Sequence, residues 1–120
     1  MLDEGNIVIL SGGTGLPYFS TDTAAAMRAL QINADVLIKA TKVDGVFDKD
    51  PAKHDDAVRF DKLSYGKVLE KDLRVMDGAC IALCRDNDLP VLVFNLLKPG
   101  NLENVVAGKK VGTLISRKGE

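Results

Sequence analysis

The sequence predicts a layered α/β fold built on a mostly parallel sheet, and three observations carry that expectation. Short runs rich in β-branched residues alternate with helical stretches; loops bearing glycine or proline separate them; and helices rather than tight hairpins link most of the strands. With 120 residues, 46% of them hydrophobic, the chain has the material for one compact domain, residues 1–120, and too little for two.

Residues 6–10, Asn-Ile-Val-Ile-Leu, are a continuous apolar run of the kind that forms a strand buried on both faces. Gly12, Gly13 and Gly15 follow, and a glycine loop lets a ligand sit against bare N–H groups. Thr21 or Asp22 caps the next helix, which carries Ala24, Ala25, Ala26, Met27, Ala29 and Leu30; a helix N-terminus beyond such a loop favours an anion. Thr14, Ser20 and Thr21 add short hydroxyl donors that a phosphate or a nucleoside would use and a plain turn does not need. The stretch is not a Walker A loop, because no Gly-Lys-Ser/Thr follows. Nor is it Gly-x-Gly-x-x-Gly, because Tyr18 stands at the third glycine position.

A second strand is expected over residues 34–41, ending at Thr41, which would face the same crevice as Thr14 at the carboxyl ends of the strands. Residues 42–56 make a loop longer than a compact domain tolerates without a use for it. Two readings stand for it: a ligand loop, or a hairpin turning at Asp44-Gly45 with Val43 and Val46-Phe47 as arms. Ser64 caps a short helix through Leu69. Residues 76–87 form a longer helix, apolar through Ala79, Ile81, Ala82, Leu83 and Cys84 and expected to be buried on most sides. After Pro90, residues 91–95 give a third strand. Pro99-Gly100-Asn101 opens a last helix to Ala107, closed by Gly108, and residues 112–116 give the final strand.

Sixteen Lys and Arg against seventeen Asp and Glu leave no basic excess, which argues against a general nucleic-acid binder. No run of 18 apolar residues suggests a membrane span, and the acidic first residues do not resemble a signal peptide, so the expected compartment is the cytoplasm. Cys80 and Cys84 lie four apart on a helical stretch far in sequence from His54, the single histidine; they read as buried packing residues, and no metal ligand set is assigned.

Four separated segments carry a family resemblance: Gly13-Thr-Gly-Leu-Pro-Tyr-Phe-Ser-Thr-Asp22, Ala34-Asp-Val-Leu-Ile-Lys-Ala-Thr-Lys-Val-Asp-Gly-Val-Phe-Asp-Lys-Asp-Pro51, Leu73-Arg-Val-Met-Asp77 and Val93-Phe-Asn95. In order and spacing they resemble the carboxy-terminal half of bacterial uridylate kinases, of the amino acid kinase superfamily. The resemblance implies a three-layer αβα fold with helices on both faces of the sheet. It implies that Thr14, Gly15, Leu16, Pro17, Tyr18, Phe19, Ser20 and Thr21 contact UMP, that Thr41, Phe47 and Asp50 contact ATP, and that Asp22 acts at the reacting phosphates as an organiser of cationic groups. Mg²⁺ would arrive with ATP, and the parent family forms homo-oligomers, specifically hexamers. Leu16 departs from the asparagine of many relatives and removes an amide contact to the nucleotide. Asp77 matches a family position with no role assigned from the sequence.

The family's other half supplies a lysine-bearing glycine loop at the ATP phosphates, and with it the arginine and aspartate that complete the UMP site. Without these, the chain alone is expected to show no measurable UMP kinase activity. It is also expected to self-associate through helices 22–31 and 76–87, whose apolar residues run far around their circumference. Two other readings remain: a superfamily kinase acting on a carboxylate such as acetylglutamate or aspartate, and a non-catalytic nucleotide-binding or assembly module. Phe19-Ser-Thr-Asp22 and Asp44-Gly-Val-Phe47 favour the uridylate branch over the carboxylate one.

Overall fold

A computed structural model describes residues 5–13, 15, 20–71, 73 and 76–117. In chain order its elements are α1 (Thr21–Gln31), β1 (Leu37–Thr41), β2 (Lys62–Ser64), α2 (Tyr65–Glu70), α3 (Gly78–Asp86), β3 (Val91–Asn95), α4 (Asn101–Val106) and β4 (Thr113–Ser116). The strands form one sheet in the order β1-β3-β4-β2. β1 pairs with β3 in parallel and β2 with β4 in parallel, while β3 and β4 run antiparallel. The result is a mixed, mostly parallel sheet layered with helices, as the sequence predicts.

Side-chain alternation sets the layering. The register places Leu37, Val91, Ile115 and Leu63 across one row of the sheet. That face packs on Ala26 and Ala29 of α1, Val68 of α2, and Cys80, Ile81 and Cys84 of α3 to make the core. Phe94 points to the opposite face and is fully buried there, outside that cluster. Ser64 caps α2 through the Lys67 N–H, and both cysteines are free, buried thiols on the inner side of α3.

Four local expectations need correction. Residues 6–10 carry no ladder, and Ile7 and Ile9 are 96% and 89% exposed rather than buried on two faces. β-branched residues favour an extended backbone, but a strand needs a ladder, and among the described residues no ladder forms over this segment. The fourth strand is instead β2, too short and too polar to read from its own residues. The cap of α1 is Ser20, not Thr21 or Asp22. α3 begins after Asp77 and buries one face only, with Ala79 exposed and Ala82 and Leu83 half-buried. The larger exposed apolar side chains therefore lie off the helices named for association, on Ile7, Ile9, Leu97 and Val106.

Tyr65 joins the first turn of α2 to the end of α3: its buried hydroxyl donates to the Leu89 carbonyl, and burial first, then nearby Cys84 and Asp88, pushes its pKa up to about 12. Tyr65→Phe keeps the ring but leaves that buried carbonyl without its donor. A loss of about 1 to 3 kcal/mol in urea unfolding is expected, with no change in the far-UV spectrum.

Candidate functional site

Two cavities flank β1, and the groups between them come from the starts of two helices. At α1, Ser20 Oγ accepts from the Thr23 N–H at 3.2 Å, which frees Asp22 in the first turn from capping duty. Both Asp22 carboxylate oxygens accept from Lys39 Nζ, at 3.1 and 3.3 Å, with each side chain a little over a quarter exposed. At α3, Asp77 is the cap, accepting from the Cys80 N–H at 2.8 Å. It also accepts from the hydroxyls of Ser20 and Thr23, so one carboxylate ties the two helix starts together.

Burial is the largest single influence on Asp77 and opposes its charge. The hydrogen bonds from Ser20, the Cys80 N–H and Thr23, with Lys39 nearby, outweigh it and hold the carboxyl below its ordinary value. A lowered folded-state pKa adds stability above the unfolded value, about 3.9, and that stability is lost as pH falls through the folded value. Asp77→Asn should therefore be less stable than the parent at pH 7 and differ little from it at pH 2. Urea midpoints at the two pH values check this; an equal gap at both would contradict it.

One cavity, of about 500 Å³, is lined by Thr41, Val43, Val46, Phe47, Lys49, Asp50, Lys71, Leu73 and Val93, among others. Its loop is anchored at several points. Asp44 accepts from Lys98 at 2.9 Å and from Asn95 at 3.1 Å, and these two bonds, Lys98 first, hold its carboxyl below its ordinary value. The Val46 N–H donates to Thr113 Oγ1 at 2.9 Å. The loop then returns on itself further along than a turn at Asp44-Gly45 would allow. Phe47 bridges Arg59, and the Phe60 N–H donates to the Val46 carbonyl. The hairpin with Val43 as an arm does not form, because Thr41 Oγ1 holds Val43 in a tight local turn, donating to its carbonyl at 2.9 Å and accepting from its N–H at 3.0 Å.

Of the residues named from the sequence, Thr41, Phe47 and Asp50 thus share one cavity, although one Asp50 oxygen also accepts from the Ala52 N–H. The second cavity, of about 530 Å³, lies between the glycine turn, α1 and the outer edge of β1; Gly12, Gly13, Thr21, Arg28 and Val36 are on its walls. Ser20 is the α1 cap, and Gly15 is exposed with φ +74°. Thr14, Leu16, Pro17, Tyr18 and Phe19 lie outside the described residues. Lys39 was missed by sequence reasoning, yet its signal was present: a lone charge inside the apolar run Val-Leu-Ile-Lys-Ala. Lys71 and Leu73 had no such signal, since only the tertiary fold brings the end of α2 to the loop.

The sequence profile of the amino acid kinase family matches residues 1–95. Among solved structures, the UMP kinase from Bacillus anthracis is 42% identical and superposes with a TM-score of 0.94 over 98% of this chain and 48% of that one. The UMP kinase from Ureaplasma parvum is 38% identical, with a TM-score of 0.80 over 87% of this chain and 45% of its own. The uridylate kinase from Archaeoglobus fulgidus is 36% identical, with a TM-score of 0.73 over 88% and 50% respectively. The chain spans about half the length of these relatives.

Proposed function

The chain belongs to the amino acid kinase family, and from that premise we propose that it is the nucleotide-binding part of an enzyme that transfers the γ-phosphoryl group of ATP to UMP, giving ADP and UDP. The observation that carries the reading is the arrangement around β1. Thr41, Phe47 and Asp50 share a cavity that offers an aromatic ring and apolar walls to adenine, while Asp22 and the hydroxyl-bearing start of α1 lie beside the same strand.

The chemistry suits residues of this kind. The UMP phosphate has its second pKa near about 6, so its oxygen attacks without a general base. Positioning and charge neutralisation then carry the rate across a loose transition state, and Asp22 serves as the organiser of a cation rather than as a base. Mg²⁺ enters with the ATP phosphates. The reading includes a homo-oligomeric enzyme of the cytoplasm; no described helix is long and apolar enough to cross a membrane.

A substrate panel tests it. The chain is joined to the half of a UMP kinase that it does not match, and phosphoryl transfer from ATP with Mg²⁺ is followed to UMP, acetylglutamate and aspartate. Transfer to UMP alone is expected, with the unjoined chain at least a hundredfold slower. Transfer to either carboxylate would move the protein to the other branch of the family. A second reading is a binding module without chemistry. Nucleotide binding with no transfer in the joined protein would establish it.

A further inference from the structure

We propose that Thr113 is a positioning residue for the ATP subsite, its hydroxyl setting the spacing of the two loop arms that carry Phe47; the inference rests on the kinase reading above. Three observations lead to it. First, the hydroxyl stands inside a main-chain ladder. Phe47 bridges Arg59 in antiparallel fashion, so the pair beside that bridge, Val46 and Phe60, is placed to exchange two main-chain hydrogen bonds. One is direct, from the Phe60 N–H to the Val46 carbonyl at 2.8 Å. The other runs through Thr113: its Oγ1 accepts from the Val46 N–H at 2.9 Å and donates to the Phe60 carbonyl. The hydroxyl is thus a wedge between the arms at the residue next to Phe47.

Second, the chain is built to let the loop reach that hydroxyl. A Cβ at Gly45 would lie 2.5 Å from Thr113 Oγ1 and 3.3 Å from the Thr113 nitrogen, so a side chain at Gly45 would push the loop off its anchor. Third, the position is one that valine would fill. Thr113 is fully buried in β4, and its register partner Val93 is on the wall of the ATP cavity. A hydroxyl there costs stability unless it is bonded, and this one uses both its proton and a lone pair within the protein. Its effect on a nucleotide therefore passes through the loop.

The placement also makes the effect selective. In the sheet order β1-β3-β4-β2, Thr113 is two strands from the outer edge of β1, where the cavity beside the glycine turn lies. Loss of the wedge changes the path of Val46 and Phe47 on the ATP side and leaves the start of α1 as it is.

The test is calorimetric titration of the 120-residue chain and its variants with a non-hydrolysable ATP analogue and with UMP, each variant first shown by a melting curve to be folded. Thr113→Val keeps the shape and removes the hydroxyl; it should bind the ATP analogue at least tenfold more weakly and UMP within threefold of the parent. Thr113→Ser, which keeps the hydroxyl, should recover most of the loss. In a chain already carrying Phe47→Ala, Thr113→Val should weaken the ATP analogue by less than a further threefold, because the residue acts through that ring. ATP affinity of Thr113→Val within threefold of the parent would overturn the assignment. So would equal losses for the two nucleotides, or full additivity with Phe47→Ala, either of which would leave Thr113 as general support for the fold. If Thr113→Val does not fold, Gly45→Ala displaces the loop from the hydroxyl and carries the same comparison. A parent chain that binds neither nucleotide would instead overturn the kinase reading, and the assignment with it.

Discussion

Phe47→Ala is expected to weaken ATP binding roughly ten- to hundredfold and to leave UMP binding little changed. Burying an aromatic ring against a ligand is worth about 1.5 to 3 kcal/mol, and each 1.4 kcal/mol is a decade of affinity. The backbone around Phe47 sharpens the test. Its bridge to Arg59 and the bond from the Phe60 N–H to the Val46 carbonyl are main-chain contacts that alanine preserves, so the loop keeps its path when the ring is removed. Titration with a non-hydrolysable ATP analogue, alongside a melting curve, separates the roles. A lowered melting temperature with unchanged ATP affinity would make Phe47 a packing residue of the loop and nothing more.

Gly112→Ala should be the most damaging single-methyl change in the molecule, costing at least about 3 kcal/mol of a total that for a domain of this kind runs to roughly 5 to 15 kcal/mol. Gly112 has φ +74°, a backbone region that disfavours any residue with a Cβ. The added methyl would lie 2.0 Å from the Val93 carbonyl oxygen and 3.0 Å from the Phe94 Cα. Those atoms belong to the middle of the sheet, where β3 and β4 pair from Val93 and Thr113 onward, and cannot swing aside as a side chain can. The same glycine's carbonyl accepts from Arg59, so a shift there also disturbs the bridge that closes the loop around Phe47. Urea unfolding checks the figure; a loss under about 1 kcal/mol would mean that the sheet yields at this point.

The elements that were legible in the sequence are those whose own residues decide them. β3 reads from Val-Leu-Val-Phe between Pro90 and Asn95, and α2 from the Ser64 cap, because propensity and capping act within a few residues. Residues 6–10 misled for the converse reason. Ile7, Val8 and Ile9 state a preference for extended backbone, but whether a ladder forms depends on a neighbour that local sequence does not specify. β2 shows the other side of that dependence: Lys62–Ser64 has little strand character and becomes a strand because β4 lies alongside.

At the candidate site the same division holds. The glycine turn and the Thr41-to-Asp50 loop stand out by composition. The clamp made by Asp77 on Ser20 and Thr23 joins residues more than fifty positions apart, and no local pattern announces it. Lys39 lies between these cases. A charge within an apolar strand is visible at once, but its partner Asp22 emerges only when α1 packs beside β1.

The account turns on UMP and ATP occupying two separate places on either side of Asp22 and Lys39, and competition calorimetry on the chain tests that most directly. UMP titrated into chain saturated with a non-hydrolysable ATP analogue should bind one-to-one with at most a threefold change in affinity, and the reverse titration should give the same answer. Mutual displacement of the two nucleotides, as from a single shared cavity, would contradict the account.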